Sequence, residues 1–420
     1  NLFMSKSNPW IWSLYDFANS LASIVVSFYF SLFIVSQLGK SDIWVSVPVA
    51  LATFLLLITL PFLGSVTDKV KRYKPALFTT TMLTIGSLIL LGIFVAKTII
   101  NPGLFIFVIV FYFLFQYFYQ AAMAFYLPFL QSLSQNHSRD FVASLGLAAG
   151  QLGNIVGLVI AFPLASSSLN ILGLSKTPLV FCFGAILFLI FFLIFNKKFK
   201  EEDYHIENQV SFLPKSFKES FTQFAILKKE KNVLWYLIAY YLFADAILTL
   251  QLFASLYLDK VGHLSSGLKT IGFVVGLFTA VIGAMLTPWV NKKIGNLKKA
   301  ISITILVWSI LLFLMAIAVT PVQMFIMLIL NGFAFGTLFS LSRIMYSKLI
   351  PKDEPAKYFG LYVLFERFAS ILGPLIWSFS TFIFAFAGEE TKYRFAIGSL
   401  AILVLISYFG LRKVKDDYRS

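Results

Sequence analysis

The chain has 420 residues, 59% of them hydrophobic and 13% charged, with a mean hydropathy of +0.85 and a formal net charge of +15. Soluble domains carry about 25% charged residues, so this composition excludes a water-soluble enzyme and describes a chain dissolved in a lipid bilayer. The excess positive charge is spread over short segments between apolar runs, which is a topology signal and argues against a nucleic-acid partner.

The apolar runs are long and unbroken, as in 85–95 and 104–115, which reads as helices and not as the alternating pattern of a transmembrane barrel. Twelve spans are predicted at 10–38, 43–66, 75–97, 102–130, 140–167, 176–196, 232–259, 267–290, 298–319, 321–350, 355–385 and 391–412. Pro75, Pro102, Pro321 and Pro355 open spans, where a missing N–H removes no helical bond. The chain is expected to enter the first span directly at Pro9–Trp10, with no cleaved leader. The single Cys182 lies in an apolar run, so no internal disulfide is expected. His137, His205 and His263 lie far apart in loops, and neither a metal site nor a cofactor is expected.

With the N-terminus inside, cytoplasmic segments hold about 25 Lys and Arg and the opposite face about seven. That asymmetry predicts both termini in the cytoplasm, with an inner membrane as the setting. The longest polar stretch, 197–231, holds eight lysines and separates a first six-span half (1–196) from a second (232–420). An amphipathic segment around 212–226 lies along the membrane surface in one reading and belongs to a solvated linker in the other. Weak repeats support the division. Phe17-Ala18-Asn19 in span one corresponds to Phe243-Ala244-Asp245 in span seven. Phe141 with Leu145-Gly146-Leu147 in span five corresponds to Tyr358-Phe359-Gly360-Leu361 in span eleven.

A charge inside a span costs about 2.5–3.5 kcal/mol on insertion scales, so each needs a partner or a wet cavity. Asp16 heads a stripe with Asn19, Ser20, Ser23 and Ser27 on one face of span one, either lining a cavity or pairing with a loop lysine. Asp245 falls near the middle of span seven with Tyr241 and Thr249 a turn away. Desolvation favours its uncharged form, which suits a protonation switch; the structural alternative is a salt bridge to Arg343 or Arg367. Arg343 offers a fork either for a substrate carboxylate or for a closed gate. The adjacent Glu366 and Arg367 point about 100° apart. Gln116, Gln120, Gln151, Asn154 and Asn331 offer hydrogen bonds to substrate or between helices. Gly146, Gly150, Gly153 and Gly157 are spaced for a helix-packing seam.

Between spans two and three, Gly64-Ser65-Val66-Thr67-Asp68-Lys69-Val70-Lys71-Arg72 resembles the Gly-x-x-x-Asp-Arg cytoplasmic loop of the major facilitator superfamily, with Lys69 where an arginine is usual. The resemblance implies that Gly64, Asp68, Lys69 and Arg72 form a cytoplasmic gate, its carboxylate resting on a helix N-terminus. Span one reads Tyr15-Asp16-Phe17-Ala18-Asn19-Ser20, span four ends in Tyr126-Leu127-Pro128, and span eleven reads Arg367-Phe368-Ala369-Ser370-Ile371-Leu372-Gly373-Pro374. These are similar to the branch of the superfamily typified by autophagy-related protein 22, in which Arg367 is usually a lysine and Glu366 a small residue.

The resemblance implies an all-α polytopic membrane protein with the major facilitator fold, twelve transmembrane helices in two pseudo-symmetric six-helix halves. It also implies a monomeric secondary transporter working by alternating access. Fungal members of the branch are associated with amino-acid efflux from the vacuole, so the expectation is export of a small solute such as an amino acid, with protons as the coupling partner. An exporter of drugs or lipids is the alternative within transport. A membrane-embedded enzyme or receptor is the alternative outside it, and no histidine in a span, no catalytic motif and no sizeable soluble domain speaks for either.

Overall fold

The computed structural model describes residues 8–70, 72–126, 128–133, 139–167, 169–171, 173–201, 230–350 and 355–415. Its elements are α1 (Pro9–Ser31, continued by a π-turn over Leu32–Gln37), α2 (Ile43–Val70), α3 (Lys74–Ile100), α4 (Phe105–Tyr126), α5 (Pro128–Leu133), α6 (Arg139–Ser166) and α7 (Thr177–Lys198). There follow α8 (Lys231–Lys260), α9 (Ser266–Ile294), α10 (Leu297–Ile317), α11 (Pro321–Leu349), α12 (Pro355–Phe368), α13 (Leu372–Ile383) and α14 (Glu389–Arg412). A two-residue antiparallel ribbon, Asn170–Ile171 with Leu174–Ser175, links α6 to α7.

Local chemistry sets the helix starts. Asn8 caps α1 through Trp10 N, with Pro9 at the first position. Ser265 and Asn296 cap α9 and α10. Thr320 and Gln323 form a reciprocal capping box at the start of α11, with Pro321 at its first position.

Among the described residues, ten helices are long and apolar enough to cross a membrane, and Ile43–Thr59 and Leu372–Ala387 are shorter apolar segments. Span eleven departs from the single helix predicted over 355–385. It breaks at 369–371 into α12 and α13, where Gly373-Pro374 follows directly and Pro374 has no amide to continue the ladder. The amphipathic segment predicted around 212–226 lies outside the described residues.

Residues fall into two compact units, 1–33 with 51–216, and 34–50 with 217–420. Residues 34–50 thus belong to the second unit. In the first unit α1 packs on α6 and α7, and α3 on α4 and α7. The predicted glycine seam forms there: a Cβ on Gly153 would lie 2.1 Å from the Phe17 carbonyl oxygen, and one on Gly157 2.8 Å from that of Leu21. In the second unit α9 packs on α11, while α14 packs on α8, α10 and α13.

Candidate functional site

In the first unit, span-one polar residues meet the end of α4. The Tyr126 hydroxyl shares its one hydrogen between the Asp16 carboxylate at 2.9 Å and the Trp12 carbonyl at 2.8 Å. Its ring stacks on Trp12 and Tyr15, with centroids 4.8 and 4.5 Å apart. Close approach of α6 completes the wall, since a Cβ on Gly146 would lie 2.6 Å from the Asp16 carboxylate. Tyr126 thus ties two predicted motifs together, the Tyr-Asp of span one and the Tyr-Leu-Pro ending of span four.

One turn further along α1, buried Asn19 donates to the Met123 sulfur at 3.2 Å. Its amide oxygen has no hydrogen-bond partner among the described residues. Gln120 donates to Thr53 on α2 at 3.1 Å. Gln116 lies beside the buried Tyr112 hydroxyl. Gln151 and Asn154 are half-buried and bonded to each other at 3.4 Å.

In the second unit Asp245 is fully buried on α8. One carboxylate oxygen accepts from the Gly373 amide at 2.9 Å, so Asp245 caps the N-terminus of α13, where the free amides and the helix dipole favour negative charge. The other oxygen is buried without a regular hydrogen bond among the described residues. The Tyr241 hydroxyl and the Leu372 amide lie beside the carboxylate. Thr249 turns its hydroxyl back to the Asp245 carbonyl at 2.7 Å.

A second charged cluster joins α8, α11 and α12. Arg343 faces Glu366, with Tyr362 and Tyr240 against both. Tyr346 stacks on Tyr236 and lies tilted against Tyr362, with centroids 5.8 and 4.8 Å apart. Glu366, which departs from the branch pattern, is thereby placed opposite Arg343. The tyrosines were not singled out as site residues in the sequence, because no single one has a spacing that marks it. Asn331 stands apart, lining an apolar cavity. The side chains of Arg367, Gly64, Asp68 and Lys69 lie outside the described residues.

Two polar groupings near helix ends also carry no motif. In the first unit, the Glu201 carboxylate accepts from the Tyr73 and Lys74 amides at 2.6 and 3.0 Å. Lys74 Nζ donates to the Asn196 and Phe199 carbonyls at 2.7 and 2.6 Å. Burial pushes the Glu201 carboxyl upward, against those two amides and the nearby Arg72 and Lys74 charges.

In the second unit, residues 34–50 are held by Ser36 to Asp259 at 2.6 Å, by Ser46 to Ser378 at 2.6 Å and by Tyr393 to Asp42 at 3.3 Å. Asp42 is buried. Burial pushes its carboxyl above the usual aspartate range, against hydrogen bonds from Thr381 and Tyr393 and the Lys392 charge.

The Major Facilitator Superfamily sequence profile matches residues 13–374. The chain belongs to the Major Facilitator Superfamily. It is similar to the MFS-type transporter YxiO of Bacillus subtilis, 25% identical over 99% of this chain and 96% of that one. It is also similar to autophagy-related protein 22 of Pichia angusta, 26% identical over 38% of this chain and 30% of that one. Among solved structures, the nucleoside transporter NupG has a TM-score of 0.74 at 16% identity, covering 98% of this chain and 99% of that one. A D-xylose–proton symporter has a TM-score of 0.71 at 12% identity, covering 98% and 99%. Membership makes this facilitator-fold protein a multi-pass secondary transporter that works by alternating access.

Proposed function

We propose that this transporter couples proton movement to export of a small zwitterion such as an amino acid, with Asp245 as the group that gains and loses the proton. The observation that carries the reading is the Asp245 carboxylate, buried at the N-terminus of a broken span with one oxygen on Gly373 and the other lacking a regular hydrogen bond. Discontinuous helices with charged groups at their ends recur where transporters bind substrate and coupling ions. A proton on that second oxygen would neutralise the buried carboxylate, and its loss would leave a charge held by the helix end. A D-xylose–proton symporter shares the fold, so the architecture accommodates proton coupling.

Substrate recognition falls to groups of both signs and to the amides. Arg343 matches a carboxylate bidentately, and Glu366 and Asp16 match an ammonium. Asn19, Gln116, Gln120, Gln151, Asn154 and Tyr241 offer neutral hydrogen bonds, and Arg367 a second cation. In the same reading Gly64, Asp68, Lys69 and Arg72 form the cytoplasmic gate. The protein acts as a monomer of two six-helix halves in a bacterial inner membrane with both termini cytoplasmic. The test is uptake of radiolabelled amino acids into proteoliposomes with and without an imposed pH gradient. Uptake driven by the gradient and abolished by a protonophore supports the reading; gradient-independent uptake overturns the coupling, and competition by hydrophobic cations alone overturns the substrate class.

A further inference from the structure

The second unit encloses a cavity among α8, α9, α10 and α11, with about 620 Å³ of empty space, part of it open to the outside. Its walls include Phe273, Leu277, Leu328 and Phe335, and no ionisable side chain lines it. Three polar residues interrupt this apolar lining, Gln251, Trp308 and Asn331; Gln251 is half-buried, whereas Trp308 and Asn331 are 1% and 5% exposed.

Both present unsatisfied atoms: neither Trp308 Nε1 nor Asn331 Oδ1 has a hydrogen-bond partner among the described residues. The orientation of the Asn331 amide is fixed by its nitrogen, which donates to the Met327 carbonyl at 2.8 Å; a flipped amide would set oxygen against oxygen. The oxygen is therefore the available atom, an acceptor. The indole nitrogen is a donor only. Buried groups of this kind are nearly always satisfied, because an unpaired donor or acceptor in apolar surroundings has lost its water and gained nothing.

We infer that this cavity is a binding site for a neutral single-ring compound that carries both an N–H or O–H donor and a carbonyl-type acceptor. The donor pairs with Asn331 Oδ1, the acceptor takes the Trp308 N–H, and the ring packs against Phe273 and Phe335. A charged compound is excluded, since the lining offers no counter-charge to replace lost hydration. A pure hydrocarbon fills the space but leaves both polar atoms unpaired. The site does not depend on the coupling role of Asp245, because none of its lining groups titrates.

The probe is benzamide, which has one ring, one amide donor group and one carbonyl, compared with benzoate and ethylbenzene. Each is titrated into the purified full chain in nanodiscs, read by saturation-transfer NMR, with protein-free nanodiscs as the blank. Benzamide is expected to bind saturably, with benzoate and ethylbenzene about tenfold weaker or more, and to lose about tenfold in affinity in each of Asn331→Leu and Trp308→Phe. Equal binding of all three compounds, absence of saturable benzamide binding, or unchanged affinity in both variants overturns the site. The three-compound comparison uses wild-type protein and decides the question even if one variant fails to fold.

Discussion

The Asp245 carboxylate on α8 accepts a hydrogen bond from the Gly373 amide on α13 at 2.9 Å. The bond requires close approach of the two helices. A Cβ on Gly373 would lie 2.1 Å from Thr249 Oγ1 and 2.8 Å from the Asp245 carbonyl oxygen. Gly373→Ala is therefore expected to push α13 from α8 and lower the thermal midpoint, by an overpacking cost of about 1–3 kcal/mol. Adding Thr249→Ala removes the nearest clashing atom, and the double variant should recover part of the loss. A Gly373→Ala protein as stable as the wild type would contradict this packing.

The glycine seam between α1 and α6 makes a sharper comparison, because glycines of one chain differ in what surrounds them. Gly153→Ala meets the Phe17 carbonyl and should destabilise. Gly86 has nothing within 4 Å of an added Cβ, so Gly86→Ala should be neutral or stabilise by up to about 1 kcal/mol through helix propensity. Thermal unfolding in one detergent reads both, and similar losses in the two variants would show that α1 and α6 do not meet at Gly153.

Much of this was legible in the sequence. Apolar runs located the spans, and the spacing of Gly146, Gly150, Gly153 and Gly157 announced the seam. Asp16 and Asp245 stood out because charge inside lipid is costly. The break in span eleven was missed because residues 355–385 are apolar enough to read through it, although Gly373-Pro374 was its local signal. The partner of Asp245 was missed for the same reason. Arg343 and Arg367 are the partners that the sequence offers, whereas the observed partner is a backbone amide freed only by that break. Glu201 and Asp42 were invisible because their partners are distant in sequence and no motif marks them.

Asp42 supplies a pH dependence. Its carboxyl is raised by burial in the folded unit, so the folded state holds the proton more tightly than the unfolded chain does. The contribution is fully present below the ordinary aspartate value, near 3.9, and is lost as pH rises through the raised folded value. Docking of residues 34–50 should therefore be tighter in mild acid. Hydrogen exchange across 43–50 should slow as pH is lowered, after correction for intrinsic exchange, and Asp42→Asn should flatten the profile. Protection that increases with rising pH would reverse the assignment.

Glu201 and Lys74 brace the start of α3 against the end of α7 through backbone groups. Glu201→Ala leaves two amides of the α3 terminus without their acceptor, and Lys74→Ala leaves two carbonyls without their donor. Each loss should cost about 1–3 kcal/mol. The Lys74 ammonium also attracts the Glu201 carboxylate, so the double variant should cost less than the sum of the singles. Strict additivity in a thermal double-mutant cycle would show that the two act separately.

Asp245→Asn tests directly whether this carboxylate carries the coupling proton. Asn at this position keeps an oxygen for the Gly373 amide and cannot ionise. The decisive measurement is transport by Asp245→Asn in proteoliposomes, comparing gradient-driven uptake with exchange of labelled for unlabelled substrate at equal pH. Exchange that persists while gradient-driven accumulation is lost is the predicted result. Gradient-driven accumulation at the wild-type rate would contradict it.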